Sequence, residues 1–97
     1  MAQVVEMLTF EVDPADQAEF LRVEDNIWTR ALEQAPGFIR KERWLDADEP
    51  GLVHAVIWWE SLELWKSFPA EEVARLDELM GDMLRVGVCR TMHVVDP

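Results

Sequence analysis

The sequence predicts an α+β fold with the element order β-α-β-β-α-β. Two observations indicate this order: four stretches are rich in β-branched and apolar residues, and two segments carry apolar residues at helical spacing. Right-handed crossovers would place both helices on one face of a four-stranded antiparallel sheet. The 97 residues suffice for one modest core, so we expect a single domain over residues 1–97.

The first strand and helix follow from the opening residues. Residues 4–12 are apolar and β-branched, which predicts strand one. Asp13 can cap a helix and Pro14 suits its first position. Apolar residues then recur at helical spacing, among them Trp28, which we interpret as a core residue. The helix should end before "APGF", because the proline disfavours helical angles in the residue before it.

The middle of the chain predicts a hairpin. Strand two covers about Phe38–Leu45 and strand three about Leu52–Glu60. Between them, "DADEPG" consists of residues that favour turns. The two strands should therefore pair in antiparallel fashion across a fairly long loop.

The last third predicts a broken helix and a final strand. Ser61 can cap a helix, which should break near Phe68 because Pro69 follows. A second helical piece should start at about Ala70, and Val88–Val95 should form strand four.

Strand three carries apolar residues on both of its faces. Trp58 and Trp59 are adjacent and must point to opposite sides of the sheet. The helices can cover only one side, which would leave Leu52, Val56 and Trp58 as an exposed apolar patch. We therefore expect a two-fold homodimer that packs sheet against sheet. An error of one residue in register would exchange the two faces but leave both of them apolar.

Charge and cysteine content restrict the partners. The net charge is −11, and no basic stripe is present, so we expect neither nucleic acid nor an anionic membrane as a partner. No apolar run is long enough to span a bilayer, and the first ten residues do not resemble a secretory signal. The single cysteine, Cys89, fits a reducing compartment, so we predict a cytoplasmic protein. Without closely spaced histidines or cysteines, no metal site is predicted.

The motifs "APGF" before strand two and "WWESLELW" after strand three, with the element order, resemble the dimeric α/β-barrel superfamily. Within it, the chain is most similar to the proteins of the antibiotic biosynthesis monooxygenase type, and the resemblance covers essentially the whole chain. It implies a ferredoxin-like fold. Members of this group oxidise aromatic polyketides or quinols with oxygen and no metal or flavin, degrade haem, or only bind ligands.

The residues of characterised members match this chain in part. Haem-degrading members use an asparagine on strand one, with a tryptophan and a histidine near helix two. Here the only asparagine is Asn26 in helix one, and no histidine lies between His54 and His93. Polyketide oxidases use a tryptophan and an arginine with an asparagine and a tyrosine, of which Trp65 and Arg90 could match, while tyrosine is absent.

His54 and His93 are the candidate catalytic residues. Alternation places both on the face that also carries Trp58 and Thr91. A histidine there could remove a proton from a phenolic substrate. The alternative is a hydrogen-bonded histidine at the dimer seam.

The remaining candidates would line a ligand pocket. They are Trp65, Arg90, Trp58, Met7 and Thr91. Trp65 precedes the helix break, where a pocket mouth is common. Arg90 could bind a substrate carboxylate or phenolate, pair with an acidic residue of helix two, or lie beyond the cover of the helices.

Two functions remain open from the sequence. The first is a cofactor-independent monooxygenase that acts on a small aromatic or quinol-like compound in a pocket between sheet and helices. We predict no cofactor for it. The second is a non-catalytic homodimeric module that binds a small apolar ligand.

Overall fold

The computed structural model describes residues 2–96 and contains a four-stranded antiparallel sheet with the strand order β2-β3-β1-β4. The strands are β1 (Val4–Glu11), β2 (Phe38–Leu45), β3 (Leu52–Trp59) and β4 (Val88–His93). β1 lies in the centre and pairs with both β3 and β4. The predicted element order and the ferredoxin-like α+β fold are confirmed.

The first helical stretch runs from residue 14 to residue 32 in four pieces. A 3-10 turn (Pro14–Asp16) leads into α1 (Gln17–Glu24), a π-helical segment (Asp25–Thr29) and the short α2 (Arg30–Leu32). The Asp13 side chain accepts a hydrogen bond of 2.9 Å from the backbone N–H of Ala15, as the predicted cap requires. The sequence did not predict the π-helical segment, a type of distortion that occurs often at functional sites.

The turn between this helix and β2 depends on Gly37. Its φ of 85° lies in the left-handed region, which favours glycine. A Cβ at this position would lie 2.5 Å from the Cβ of Leu64, so the turn also packs closely against the second helical stretch.

The second helical stretch is broken, as predicted. α3 (Leu62–Lys66) starts where the Ser61 hydroxyl accepts a hydrogen bond from the N–H of Leu64 at 3.1 Å. α4 (Ala70–Met80) follows the break at Pro69. It ends at Gly81, whose φ is 56°, and a 3-10 turn (Gly81–Met83) leads towards β4.

Both helical stretches pack on the same face of the sheet. In one core cluster, Leu32 packs with Val4, Ile57 and Trp59 of the central strands. In the other, Phe20 and Met80 pack with Val12 and Val53. We call this side the helix-facing side and the opposite side the outer face. The even-numbered residues of β1 point to the helix-facing side, and the odd-numbered ones point to the outer face.

The strand register corrects the prediction for the two histidines. His54 pairs with Thr9 and therefore lies on the outer face. His93 pairs with Val4 and therefore lies on the helix-facing side, as does Thr91 opposite Glu6. The alternation of side chains within each strand was predicted correctly. The prediction that His54 of strand three and His93 of strand four share one face of the sheet was wrong. Their relative phase depends on how both pair with β1, which no local pattern records.

Candidate active site

A cavity of about 490 Å³ lies between the helix-facing side of the sheet and the helices. Its size falls within the range of small-molecule sites. Much of its wall is aromatic, formed by Phe10, Phe20, Trp28, Trp59, Trp65 and Phe68. Such a lining suits a flat apolar ligand, because aromatic rings bury large areas and stack on one another.

Glu6 is the acidic residue that the central strand contributes to this cavity. It lies on the helix-facing side of β1, among apolar neighbours. Its Oε1 accepts a hydrogen bond of 3.1 Å from the indole N–H of Trp59. Burial raises the pKa of Glu6, and the hydrogen bond from Trp59 opposes that rise. A carboxyl group with a raised pKa is better suited to proton transfer near neutral pH than an ordinary one.

A buried ion pair forms another part of the cavity wall. The Lys41 ammonium of β2 donates hydrogen bonds to Glu24 and, at 2.9 Å, to the Thr29 hydroxyl. The side chains of Lys41 and Glu24 are only 3% and 7% exposed. Burial lowers the pKa of Lys41, and Glu24 opposes that shift. Because Thr29 and Glu24 border or belong to the π-helical segment, this pair holds the distorted helix against β2.

Asp77 of α4 adds another carboxyl group beside Trp28 of the π-helical segment. Burial raises the pKa of Asp77, and the polar influence of the nearby Trp28 indole opposes that rise. The Trp28 ring stacks on Phe68 with centroids 6.2 Å apart. Trp28 is therefore both a packing residue, as predicted, and part of the cavity lining.

The rim of the cavity carries two cationic side chains. Lys66 ends α3, and its ammonium nitrogen lies 4.1 Å from the centroid of the Trp65 ring. Arg85 lies in the connection before β4, where its guanidinium donates to the carbonyl oxygens of Asp82 and Leu84 at 2.9 and 3.0 Å. Both residues line the cavity.

The structure separates the predicted pocket residues. Trp65 lines the cavity. Trp58, Met7 and Arg90 lie on the outer face, because Trp58 pairs with Val5, and Arg90 pairs with Met7. Thr91 is on the helix-facing side but is not one of the cavity-lining residues. Of the alternatives for Arg90, a position beyond the cover of the helices is the one found.

Neither predicted catalytic histidine lines the cavity. His54 bridges two outer-face partners, with 2.8 Å from Nε2 to an Asp46 carboxylate oxygen and 3.0 Å from Nδ1 to the Thr9 hydroxyl. A carboxylate can only accept, so Nε2 carries a proton, and in the neutral ring Nδ1 accepts from Thr9. The His54 hydrogen bond, followed by those from the backbone N–H groups of Glu49 and Asp48, lowers the pKa of Asp46.

Sequence reasoning missed the charged residues of the cavity. Glu6, Glu24, Lys41 and Asp77 line it together with Trp59. A signal existed for two of them. Glu6 interrupts the apolar face of strand one, and Glu24 lies between Phe20 and Trp28 at a spacing of four residues, which places it on the apolar stripe of the helix.

The chain belongs to the antibiotic biosynthesis monooxygenase family. The family model matches residues 3–76, which is most of the chain. The resemblance inferred from the sequence is thereby confirmed. None of the curated proteins matches the chain by sequence.

Solved structures share the fold at low identity. The haem degrader MhuD of Mycobacterium tuberculosis, with two haems in its active site, is 20% identical, with a TM-score of 0.78 and coverage of 97% of each chain. The cofactor-independent oxygenase SnoaB of Streptomyces nogalater is 15% identical, with a TM-score of 0.75 and coverage of 100% of this chain and 97% of that chain. The ActVA-Orf6 monooxygenase of Streptomyces coelicolor, in complex with nanaomycin D, is 20% identical, with a TM-score of 0.74 and coverage of 99% and 88%.

Two further findings concern residues 2–96. None of their helices is long and apolar enough to cross a membrane. Their histidine, cysteine, aspartate and glutamate side chains form no cluster of three or more that could hold a metal ion.

Proposed function

We propose that this protein is a cofactor-independent monooxygenase that oxidises a small aromatic or quinol-like compound in the cavity beneath its helices. The observation that carries the proposal is the position of Glu6, a partly buried carboxyl group with a raised pKa inside an aromatic cavity. Membership of the antibiotic biosynthesis monooxygenase family supports this class of reaction.

In the proposed reaction, Glu6 removes a proton from an acidic C–H or O–H group of the substrate. The aromatic walls hold the substrate ring, and the resulting anion is electron-rich enough to reduce molecular oxygen. For an anthrone, oxidation of the CH₂ group to C=O releases four electrons. One oxygen atom enters the carbonyl group and the other leaves as water, so no external reductant is required.

Oxygen uptake with a panel of hydroquinones and anthrones tests the proposal. We expect uptake with the wild-type protein, and a loss of about a hundredfold or more in Glu6→Gln, as is typical when a general base is removed. Glu11→Gln is the matched control, because Glu11 is an exposed glutamate of the same strand and lies on the outer face. Uptake that survives in Glu6→Gln contradicts the role of Glu6.

The catalytic role that the sequence suggests for His54 and His93 stays a prediction. The same assay applied to His54→Ala and His93→Ala tests it. Because neither ring lines the cavity, we expect rates within about threefold of wild type for both variants. A loss comparable to that of Glu6→Gln in either histidine variant would make that histidine the better candidate for the base.

The second candidate function is a binding module for a small apolar ligand. The aromatic lining favours it as much as it favours an enzyme. Calorimetric binding of an anthrone under nitrogen, together with no oxygen uptake in air, would indicate this function.

We also propose that a second copy of the chain covers the outer face. The predicted patch is less exposed than expected, because Val56 is 1% exposed and Leu52 and Trp58 are half-buried. Other apolar side chains of this face are exposed in the single chain, with Trp44 42% and Met92 39% exposed. We expect light scattering after size exclusion to give the mass of two chains, and Met92→Glu to reduce it to one. Leu79→Glu on α4, at a similarly exposed apolar position, should leave the mass unchanged. A wild-type mass of one chain at every concentration contradicts this proposal.

A further inference from the structure

Basic residues are over-represented at the cavity, where three of the nine lie, against three of the 20 acidic residues. The chain has nine basic residues against 20 acidic ones, and only two of the nine are lysines. Both lysines, Lys41 and Lys66, line the cavity together with Arg85. In a protein with a net charge of −11, this placement calls for an explanation.

We propose that the cavity binds an anionic aromatic ligand whose negatively charged group is held by Lys66 at the rim. This inference deepens the proposed function, because it names the charge class of the substrate. It rests on the proposed function only for the position of the site. A carboxylate or a phenolate on a flat ring is the chemistry that fits.

Lys41 is not available for such a ligand. Its side chain is 3% exposed, and its ammonium group is already bound to Glu24 and to the Thr29 hydroxyl. Glu24 balances the charge of Lys41. A ligand anion could bind Lys41 only by displacing Glu24, and separating a buried ion pair is costly.

Lys66 is free to accept an anion. Among residues 2–96, no carboxylate lies within 4.0 Å of its ammonium group. The ammonium rests instead on the face of Trp65, a cation–π contact that fixes its position without neutralising it. Lys66 is exposed, so it lies where a ligand would enter.

Arg85 adds a second positive charge to the rim. Its guanidinium is anchored by backbone carbonyl oxygens, and its closest carboxylate, Asp16, is 3.7 Å away. The side chain is 26% exposed, so part of the fork remains accessible to a ligand.

Two further carboxyl groups line the cavity, those of Glu6 and Asp77. Burial raises the pKa values of both groups, because desolvation disfavours a carboxylate relative to one in water. Lys66 is near enough to Glu6 to act slightly against that rise. Glu24 is paired with Lys41, so the cations that can meet a ligand anion are Lys66 and Arg85 at the rim. The rings of Trp28, Trp65 and Phe68 are available to hold the flat part of the ligand.

Calorimetric titration with three ligands that share one ring system tests the inference. The probes are 2-naphthoate, its neutral methyl ester and 2-naphthylmethylammonium, at pH 7. We expect the wild-type protein to bind 2-naphthoate about tenfold more tightly than the ester, as a charge-assisted contact implies. Lys66→Gln should weaken binding of 2-naphthoate about fivefold and leave the ester unchanged. Arg75→Gln, an exposed arginine outside the cavity, is the control and should change neither.

Two results would overturn the inference. Tighter binding of the ammonium compound than of 2-naphthoate would show that the cavity prefers a cation. Tighter binding of the ester would show that it prefers a neutral ligand. If Lys66→Gln binds 2-naphthoate as much more tightly than the ester as the wild-type protein does, Lys66 does not hold the anionic group. Both measurements are made without turnover. If the protein prefers 2-naphthoate but takes up no oxygen with any substrate, the proposed monooxygenase activity is contradicted and the anionic ligand class is not.

Discussion

The two sides of the sheet treat similar side chains differently. On the helix-facing side, Trp59 is 1% exposed and donates its indole N–H to the partly buried Glu6. On the outer face, its neighbour Trp58 is only half-buried and lies under the guanidinium of Arg40, 3.8 Å from the ring centroid. One tryptophan belongs to the core and the cavity, and the other lies under an exposed arginine side chain.

The same contrast holds for charged groups. Lys41 and Glu24 form an ion pair beneath the helices, whereas Arg40 pairs with Glu42 in contact with solvent. Buried charges are costly to keep and costlier to unpair, while exposed pairs contribute little. The difference indicates that the helix-facing side has retained polar groups at a cost in stability, as proteins commonly do at functional sites.

The largest expected difference separates the two tryptophans. Trp59→Ala should lower the free energy of unfolding by about 4 kcal/mol, because it empties a filled core position and leaves Glu6 without a donor. Trp58→Ala should cost about 1–2 kcal/mol in a dilute single chain. Urea denaturation followed by circular dichroism measures both values.

Equal losses of unfolding free energy in both tryptophan variants would contradict the difference between the two sides of the sheet. If Trp58→Ala loses more as the protein concentration rises, Trp58 is buried by a second copy. That result would sharpen the comparison, because the outer face would then count as a core shared by two chains.

A smaller difference should separate the two cations. Lys41→Met should cost about 3 kcal/mol, because it leaves the Glu24 carboxylate buried without its partner. The double variant Lys41→Met with Glu24→Leu should recover most of the loss. Arg40→Gln should cost about 0.5–1 kcal/mol, the usual range for an exposed cation–π contact.

Thermal and urea unfolding of the three cation variants, under one set of conditions, give these values. If Lys41→Met is as mild as Arg40→Gln, water reaches Glu24 easily, and the pair does not hold the π-helical segment against β2.

The smallest effect concerns two carboxyl groups and the pH dependence of stability. Burial raises the folded pKa of Glu6 above its ordinary value of 4.5, so its contribution is present below that pH and is lost as the pH rises through the folded pKa. The hydrogen bond from His54 lowers the folded pKa of Asp46 below 3.8, so its contribution is present above that pH and is lost as the pH falls through the folded pKa.

Opposite signs should therefore appear in two variants. At pH 7, Glu6→Gln should be more stable than wild type, with the difference vanishing near pH 4, and Asp46→Asn should be less stable. Chemical denaturation at a series of pH values measures both. A gain in stability with a loss of oxygen uptake in Glu6→Gln would also show that lost activity does not come from unfolding. Equal pH profiles in both variants would remove the contrast between the two sides.

The fold could be read from the sequence to a large extent. The bounds of β2 were predicted to the residue, and those of β1 and β3 to within one. The Asp13 and Ser61 caps are present, and the second helix breaks at Pro69. These features depend on residues close together in the chain, so local patterns contain them.

The cavity was predicted less well. Trp65 was found because a helix break marks it, but Glu6, Lys41 and Asp77 come from three different elements and meet only after folding. The π-helical segment was missed because no helix-breaking residue marks it in the sequence, although its turns differ from those of an α-helix.

The sequence alone determined the order of the elements, the family and the apolar character of both faces of strand three. Only the tertiary structure decided which side each histidine takes, because strands three and four are brought into phase by β1, which lies between them. It also decided that Glu6 should have a raised pKa. That shift comes from water being excluded by helices that are distant in sequence, and desolvation depends on the neighbours in space.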